Sequence, residues 1–147
     1  MNEKDKQEKK DNFMEWVTFI DDRVEKWKRN IPNGLSQELN WKVESLDKLE
    51  NYILKKFTKE KIISAENKEE VDAMASYIGE TFRVNLPNAK WSIELDDERN
   101  IFFNKPTIVT PTPGAAISPF NLLLRIFNEN TGKLLLKIYS GKSNPSL

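Results

Sequence analysis

Between residues 13 and 27 the apolar positions Phe13, Trp16, Val17, Ile20, Val24 and Trp27 fall at i, i+3, i+4, i+7, i+11 and i+14, the spacing that lays one stripe along an α-helix. Glu15, Asp21, Asp22, Arg23, Glu25 and Lys26 fall on the other side, as a solvated face requires. Asn30, Pro32 and Gly34 should stop this helix. Upstream, Met1 to Asp11 carries four lysines, four acids and no apolar residue after Met1. That composition fits a frayed or disordered tail or the solvated first turns of a helix, with disorder expected at its start.

A second stripe, Val43, Leu46, Leu49, Ile53 and Phe57, predicts a helix that fades between Phe57 and Lys61. A brief extended run over Leu39 to Lys42 leads into it, with Asn40 as its N-cap and Glu44 near its first turn. Ile62 and Ile63 should tuck a connector against the core. The central helix then runs from Val71 to Leu86, with Val71, Met74, Ala75, Ile78 and Phe82 on one face. Asn67 is placed to cap it, Glu69, Glu70 and Asp72 suit its positive end, and Pro87 stops it.

Beyond Pro87 the period changes from helical to alternating. Trp91, Ile93 and Leu95 alternate with Ser92 and Glu94, the pattern of a half-buried strand, and residues 96–100 read as a turn. Ile101 to Phe103 and Thr107 to Thr110 read as two further short strands, with Pro106 at a strand start or an edge. Thr110 to Pro119 holds three prolines and a glycine and reads as a surface loop. Ser118 and Pro119 resemble an N-cap followed by proline at the first helical position. The runs Leu122–Phe127 and Leu134–Tyr139 echo one another and fit either a β-hairpin or two short helices. Two helices are expected, because Gly132 and Gly141 stand where C-terminal glycines would.

The expected fold is therefore α+β: three N-terminal helices, a small antiparallel sheet of two or three strands and a helical C-terminal segment. Residues 12–141 should form one globular domain between a tail at 1–11 and a flexible tail at 142–147. With 38% apolar residues, eight Phe, four Trp and three Tyr, the chain can fill one core without a covalent staple.

Charge and the missing residue types narrow the function. The 23 basic and 23 acidic residues cancel, which argues against nucleic acid as a partner. From Ile101 onward five cations face the single acid Glu129, leaving that part at +4 and the first hundred residues at −4. Cysteine and histidine are absent, which removes disulfides, Cys/His zinc sites and serine or cysteine nucleophiles paired with histidine. No run approaches the ~18 apolar residues of a membrane span and no secretory core opens the chain, so a cytoplasmic protein without membrane contact is expected. No Walker, Rossmann, nucleophile-elbow or HExxH pattern occurs, so neither cofactor nor catalytic residue is indicated.

Two stretches carry a resemblance: Leu39-Asn-Trp-Lys-Val-Glu-Ser-Leu-Asp-Lys-Leu-Glu50, and Tyr77-Ile-Gly-Glu-Thr-Phe-Arg83 followed by Trp91. Together they resemble a set of small uncharacterised bacterial domains in which a Glu-Ser-Leu helix and a Tyr-x-Gly-Glu-x-x-Arg helix precede a tryptophan strand. A later Ser-Pro-Phe helix with an arginine six residues after its proline, here Pro119 and Arg125, is similar to the same set. The resemblance spans Leu39 to Tyr139 and brings no activity with it. Its context is similar to that of immunity and accessory proteins of bacterial toxin loci.

The candidate ligand- or partner-binding residues are Glu80, Arg83, Trp41 and Arg125. Glu80 and Arg83 can pair on one helix face, or fix a neighbour's backbone or a ligand carboxylate if buried. Gly79 serves either close approach of the Trp91 strand or nothing beyond a tolerated cost. Trp41 lies off its helix stripe, so it is a surface anchor or a core side chain. Glu94, Asp96, Asp97 and Glu98 lack the glycine and ligand spacing of a Ca²⁺ loop, so no metal site is expected. The expected function is a non-catalytic binding protein with another protein as partner. The alternative is a small-ligand or regulatory domain using the 110–119 loop with Glu80 and Arg83.

Overall fold

The computed structural model, which describes residues 1–111, 114 and 116–143, divides the first expected helix into α1 (Glu3–Thr18) and α2 (Ile20–Lys28). The Thr18 hydroxyl donates to the Met14 carbonyl at 2.8 Å, a back-bond that bends helices. Phe19 leaves helical geometry at φ −98°, ψ 15°. The stripe survives the break, with Phe13, Ile20, Val24 and Trp27 all buried. Of the two readings open to the first eleven residues, the helical one describes them from Glu3 onward. Asn2 caps α1 by accepting from the Asp5 N–H at 2.8 Å, and Glu3 and Asp5 complement the dipole.

Two short helices stand between the three long ones of the sequence reading. The chain does not simply stop at Gly34. Pro32 is extended and opens α3 (Asn33–Glu38), which contains that glycine. Nor is the run from Leu39 to Lys42 extended. Trp41 sits at φ 68°, and the Asn40 side chain accepts from the Lys42 N–H at 3.1 Å. Asn40 thus closes a turn instead of capping α4 (Ser45–Lys56). α5 (Lys59–Ile63) carries Ile62 into the core and leaves Ile63 exposed. A 3-10 turn at Ala65–Asn67 leads into α6 (Lys68–Asn85). There Asn67 donates its side chain to the Lys61 carbonyl and gives α6 no side-chain cap.

α6 is buried from Val71 to Phe82 apart from Asp72 and Glu80, so the other elements pack around it. Each fully buried Ile, Met or Phe there contributes about 1.5–3 kcal/mol. One wall is the antiparallel pair β1 (Lys90–Ile93) and β2 (Pro106–Val109), in register Lys90 with Val109 and Ile93 with Pro106. Pro106 heads its strand, where its missing N–H costs no ladder bond. Ile117 adds a bridge to Ile108 through bonds of 2.8 and 2.9 Å. The strand expected at Ile101 to Phe103 is instead a turn. Asn100 takes the Phe102 N–H on its side chain at 2.8 Å, and Asn104 is left-handed at φ 60°. Such local side-chain bonds compete with strand pairing.

Within the loop Thr110 to Pro119, Thr112, Pro113 and Ala115 lie outside the described residues, as do residues 144–147 of the expected tail. Ser118 accepts from the Asn121 N–H at 3.3 Å with Pro119 next to it, capping α7 (Pro119–Glu129) as expected. The second apolar run is α8 (Leu134–Ser143), so the pair is two helices. The stop between them is Asn130, left-handed at φ 51°, followed by Gly132 at φ 74°. Gly141 lies inside α8 and ends nothing. The architecture is α+β with a two-stranded sheet and a helical C-terminal segment. Among the described residues no helix is long and apolar enough to cross a membrane.

Candidate functional site

A cleft of about 610 Å³ opens between α2 and the N-terminal half of α6, with Lys56 from the end of α4 at one side. Trp27 and Ala73 are buried beneath it, and Phe19, at the break between α1 and α2, is 48% exposed beside it. Phe19 lies off the buried stripe formed by Phe13, Ile20, Val24 and Trp27, which accounts for its exposure.

The polar side of the cleft is organised by Glu70. Its carboxylate accepts from the Trp27 indole N–H at 2.9 Å, from the Tyr52 hydroxyl at 2.9 Å and from the Lys56 ammonium at 3.0 Å. Burial pushes the Glu70 carboxyl up, but the hydrogen bonds from Trp27, Lys56 and Tyr52 outweigh it and hold the group below its ordinary 4.5. Burial likewise works against the Lys56 charge, and its hydrogen bonds to Tyr52 and Glu70 outweigh that and raise it. Burial raises the Tyr52 hydroxyl, so it stays protonated and donates. The Lys56 ammonium also lies 5.4 Å from the Tyr52 ring centre and 5.3 Å from that of Phe57, within cation–π range.

On the other side Arg23 donates to Ser76 Oγ and to the Trp16 carbonyl, each at 2.9 Å, with its guanidinium 4.8 Å from the Trp16 ring centre. Burial lowers its pKa and the charge of Asp72 opposes that. Arg23, Lys56 and Glu70 are therefore committed to the protein itself. Among the described residues no group of three His, Cys, Asp or Glu is arranged to hold a metal ion. The acids after β1 serve local structure: Glu94 accepts from the Asp96 and Asp97 N–H groups, and Asp96 pairs with Lys6 at 2.9 Å.

The four residues singled out from the sequence are not gathered in this cleft. Glu80 and Arg83 form a two-pronged pair at 2.6 and 2.8 Å, and Glu80 also accepts from the Trp91 indole at 3.0 Å. The Arg83 guanidinium is held further up by that carboxylate. Their side chains are 15% and 40% exposed and face one another, a closed fork. Trp41 stacks on Tyr77 with ring centres 4.7 Å apart, donates its N–H to the Tyr77 hydroxyl and accepts from Asn85. That ties it into the core despite partial exposure. Arg125 is half-exposed and, among the described residues, pairs with Glu129 at 3.4 Å and no other acid. Gly79 has a definite purpose: a Cβ there would overlap the Trp91 ring, with Cζ2 at 2.5 Å, and stand 3.0 Å from Pro119 Cγ.

Phe19, Glu66 and Glu69 are what sequence reasoning passed over. Phe19 lies off the stripe of its helix, the same signal that drew attention to Trp41. The acids at the start of α6 also serve its dipole, which hides any second role. No family model, curated protein or solved structure matches this chain.

Proposed function

We propose that this chain is a non-catalytic cytoplasmic binding protein that works by holding part of another protein in the cleft between α2 and α6. The observation that supports this most directly is Phe19, a large aromatic side chain left 48% exposed at the edge of a concave surface. Covering such a ring removes much of its area from water, and aromatic anchors of this kind carry a large share of interface energy. The groups around it that could do chemistry, Glu70, Lys56 and Arg23, are each engaged by two or more internal partners. Binding is what remains for the surface to do.

A small-ligand reading has one observation in its favour, a cleft volume within the roughly 300–1,000 Å³ of ligand sites. As framed around Glu80 and Arg83 it loses support, because that fork is already satisfied. A photo-crosslinking side chain placed at Phe19, with a second at Arg125 as control, separates the readings in the native host. A protein adduct from position 19 alone is expected. No adduct from position 19, with thermal stabilisation by a metabolite instead, would overturn the proposal.

A further inference from the structure

The charged side chains around the cleft divide into spent and unspent groups. Arg23 and Lys56 are bonded within the protein, and Asp72 pairs with Lys68 at 3.3 Å. Asp22, Glu66 and Glu69 are exposed and, among the described residues, make no hydrogen bond or ion pair, whereas Lys26 is the one lining cation in that state. The unspent charge is therefore three acids to one base, set around Phe19 with the buried Trp27 and Ala73 beneath. Building on the proposed protein-binding role, we infer that the cleft takes a segment bearing a lysine or arginine next to a large apolar side chain.

The apolar side chain covers Phe19, and the cation answers Glu66 and Glu69 at the head of α6. Complementary charge of this sort steers encounter and excludes acidic competitors more than it adds affinity. An acidic segment would meet those unpaired carboxylates with like charge. Salt should weaken the interaction, since exposed charges are screened over about 8–10 Å at 0.1–0.15 M. Trp27 lies under the cleft with its indole bonded to Glu70, which makes that N–H a reporter.

The test is a selection from a phage-displayed library of random short peptides on the folded wild-type chain, depleted against a variant carrying Phe19→Ala, Glu66→Gln and Glu69→Gln. These side chains are exposed and unbonded, so the variant should fold, which the four indole cross-peaks of the ¹⁵N-labelled protein check. Selected peptides are then titrated into labelled wild type. Peptides pairing Lys or Arg with a large apolar residue, shifting the Trp27 indole and losing about tenfold in affinity on either Phe19→Ala or the double glutamine change, are expected. Peptides that need the cleft but are acidic or uncharged would overturn the inferred partner chemistry and leave the protein-binding role standing. A library yielding no cleft-dependent binder would overturn both.

Discussion

Replacing Glu50 by alanine should unfold much of what holds the C-terminal helix in place. Glu50 is on α4, is 0% exposed, and accepts from the Leu134 N–H at 3.0 Å and the Leu135 N–H at 2.8 Å. It thus caps α8 from 84 and 85 residues away in the chain. Both leucines are themselves buried, so water cannot take over. Each orphaned buried N–H costs about 1–3 kcal/mol. Losing the carboxylate from the positive end of α8 adds up to about 2 kcal/mol. Against this stands relief from burying a charge, so the net expectation is the roughly 3–5 kcal/mol typical of breaking a buried charged contact.

Against the roughly 5–15 kcal/mol that holds a domain folded, that is between about a fifth and all of its stability. Urea unfolding followed by tryptophan fluorescence should show a lower midpoint at unchanged slope. Glu50→Gln keeps one acceptor and should fall between wild type and Glu50→Ala. The neighbouring contact gives the contrast: Lys133 reaches Asp47 at 2.5 Å with the lysine side chain 70% exposed. Lys133→Ala should therefore cost under about 1 kcal/mol. A Glu50→Ala midpoint within error of wild type would show that the linker between α7 and α8 finds other acceptors, and the capping argument would fail.

Gly79→Ala should destabilise by about 1–3 kcal/mol, overpacking against Trp91 outweighing the gain in helix propensity; a stability equal to or above wild type would show that the indole moves aside freely. Because the folded-state pKa of Glu70 lies below its ordinary 4.5, its contribution is present above that value and is lost as pH falls through the folded pKa. Stability measured from pH 7 down to pH 3 should therefore decline less steeply in Glu70→Gln than in wild type, and parallel curves would refute the assignment.

Which features the sequence disclosed follows from which forces are local. Stripes such as Val43 to Phe57 and Val71 to Phe82 are statements about one helix, and they became α4 and α6 with little change. Ser118 and Pro119 capped α7 because a cap needs only its own next residues. Features set by distant contacts were hidden. No local pattern shows that Glu50 caps α8, and it reads as one more charge on a helix. Ile101 to Phe103 has strand composition, but Asn100 and Asn104 hold it in a turn whose left-handed residue no alternation reveals. The cleft was hidden for a third reason: its lining comes from α2, the end of α4 and the start of α6, and no stripe shows which helices pack side by side.

The position of an open site along α6 follows from its own burial. Between Val71 and Phe82 only Asp72 and Glu80 escape full burial, so the middle of the helix can face no partner. At either end a glutamate accepts from a tryptophan indole and from a cation: Glu70 from Trp27 and Lys56, Glu80 from Trp91 and Arg83. Each pairing gives direction to contacts that apolar packing alone would leave loosely oriented, with α2 held at one end and β1 at the other. The two ends differ in what surrounds the glutamate. Around Glu80 the arginine fork and Trp91 consume the polar groups. Around Glu70 the chain has just emerged from the turn at Ala65–Asn67, and Glu66, Glu69 and Asp22 remain unpaired beside an exposed Phe19. Among the described residues around α6, unpaired acids and an exposed ring come together beside Glu70 and not beside Glu80, which is why the proposed recognition is placed with Glu70's neighbours and scaffolding with Glu80.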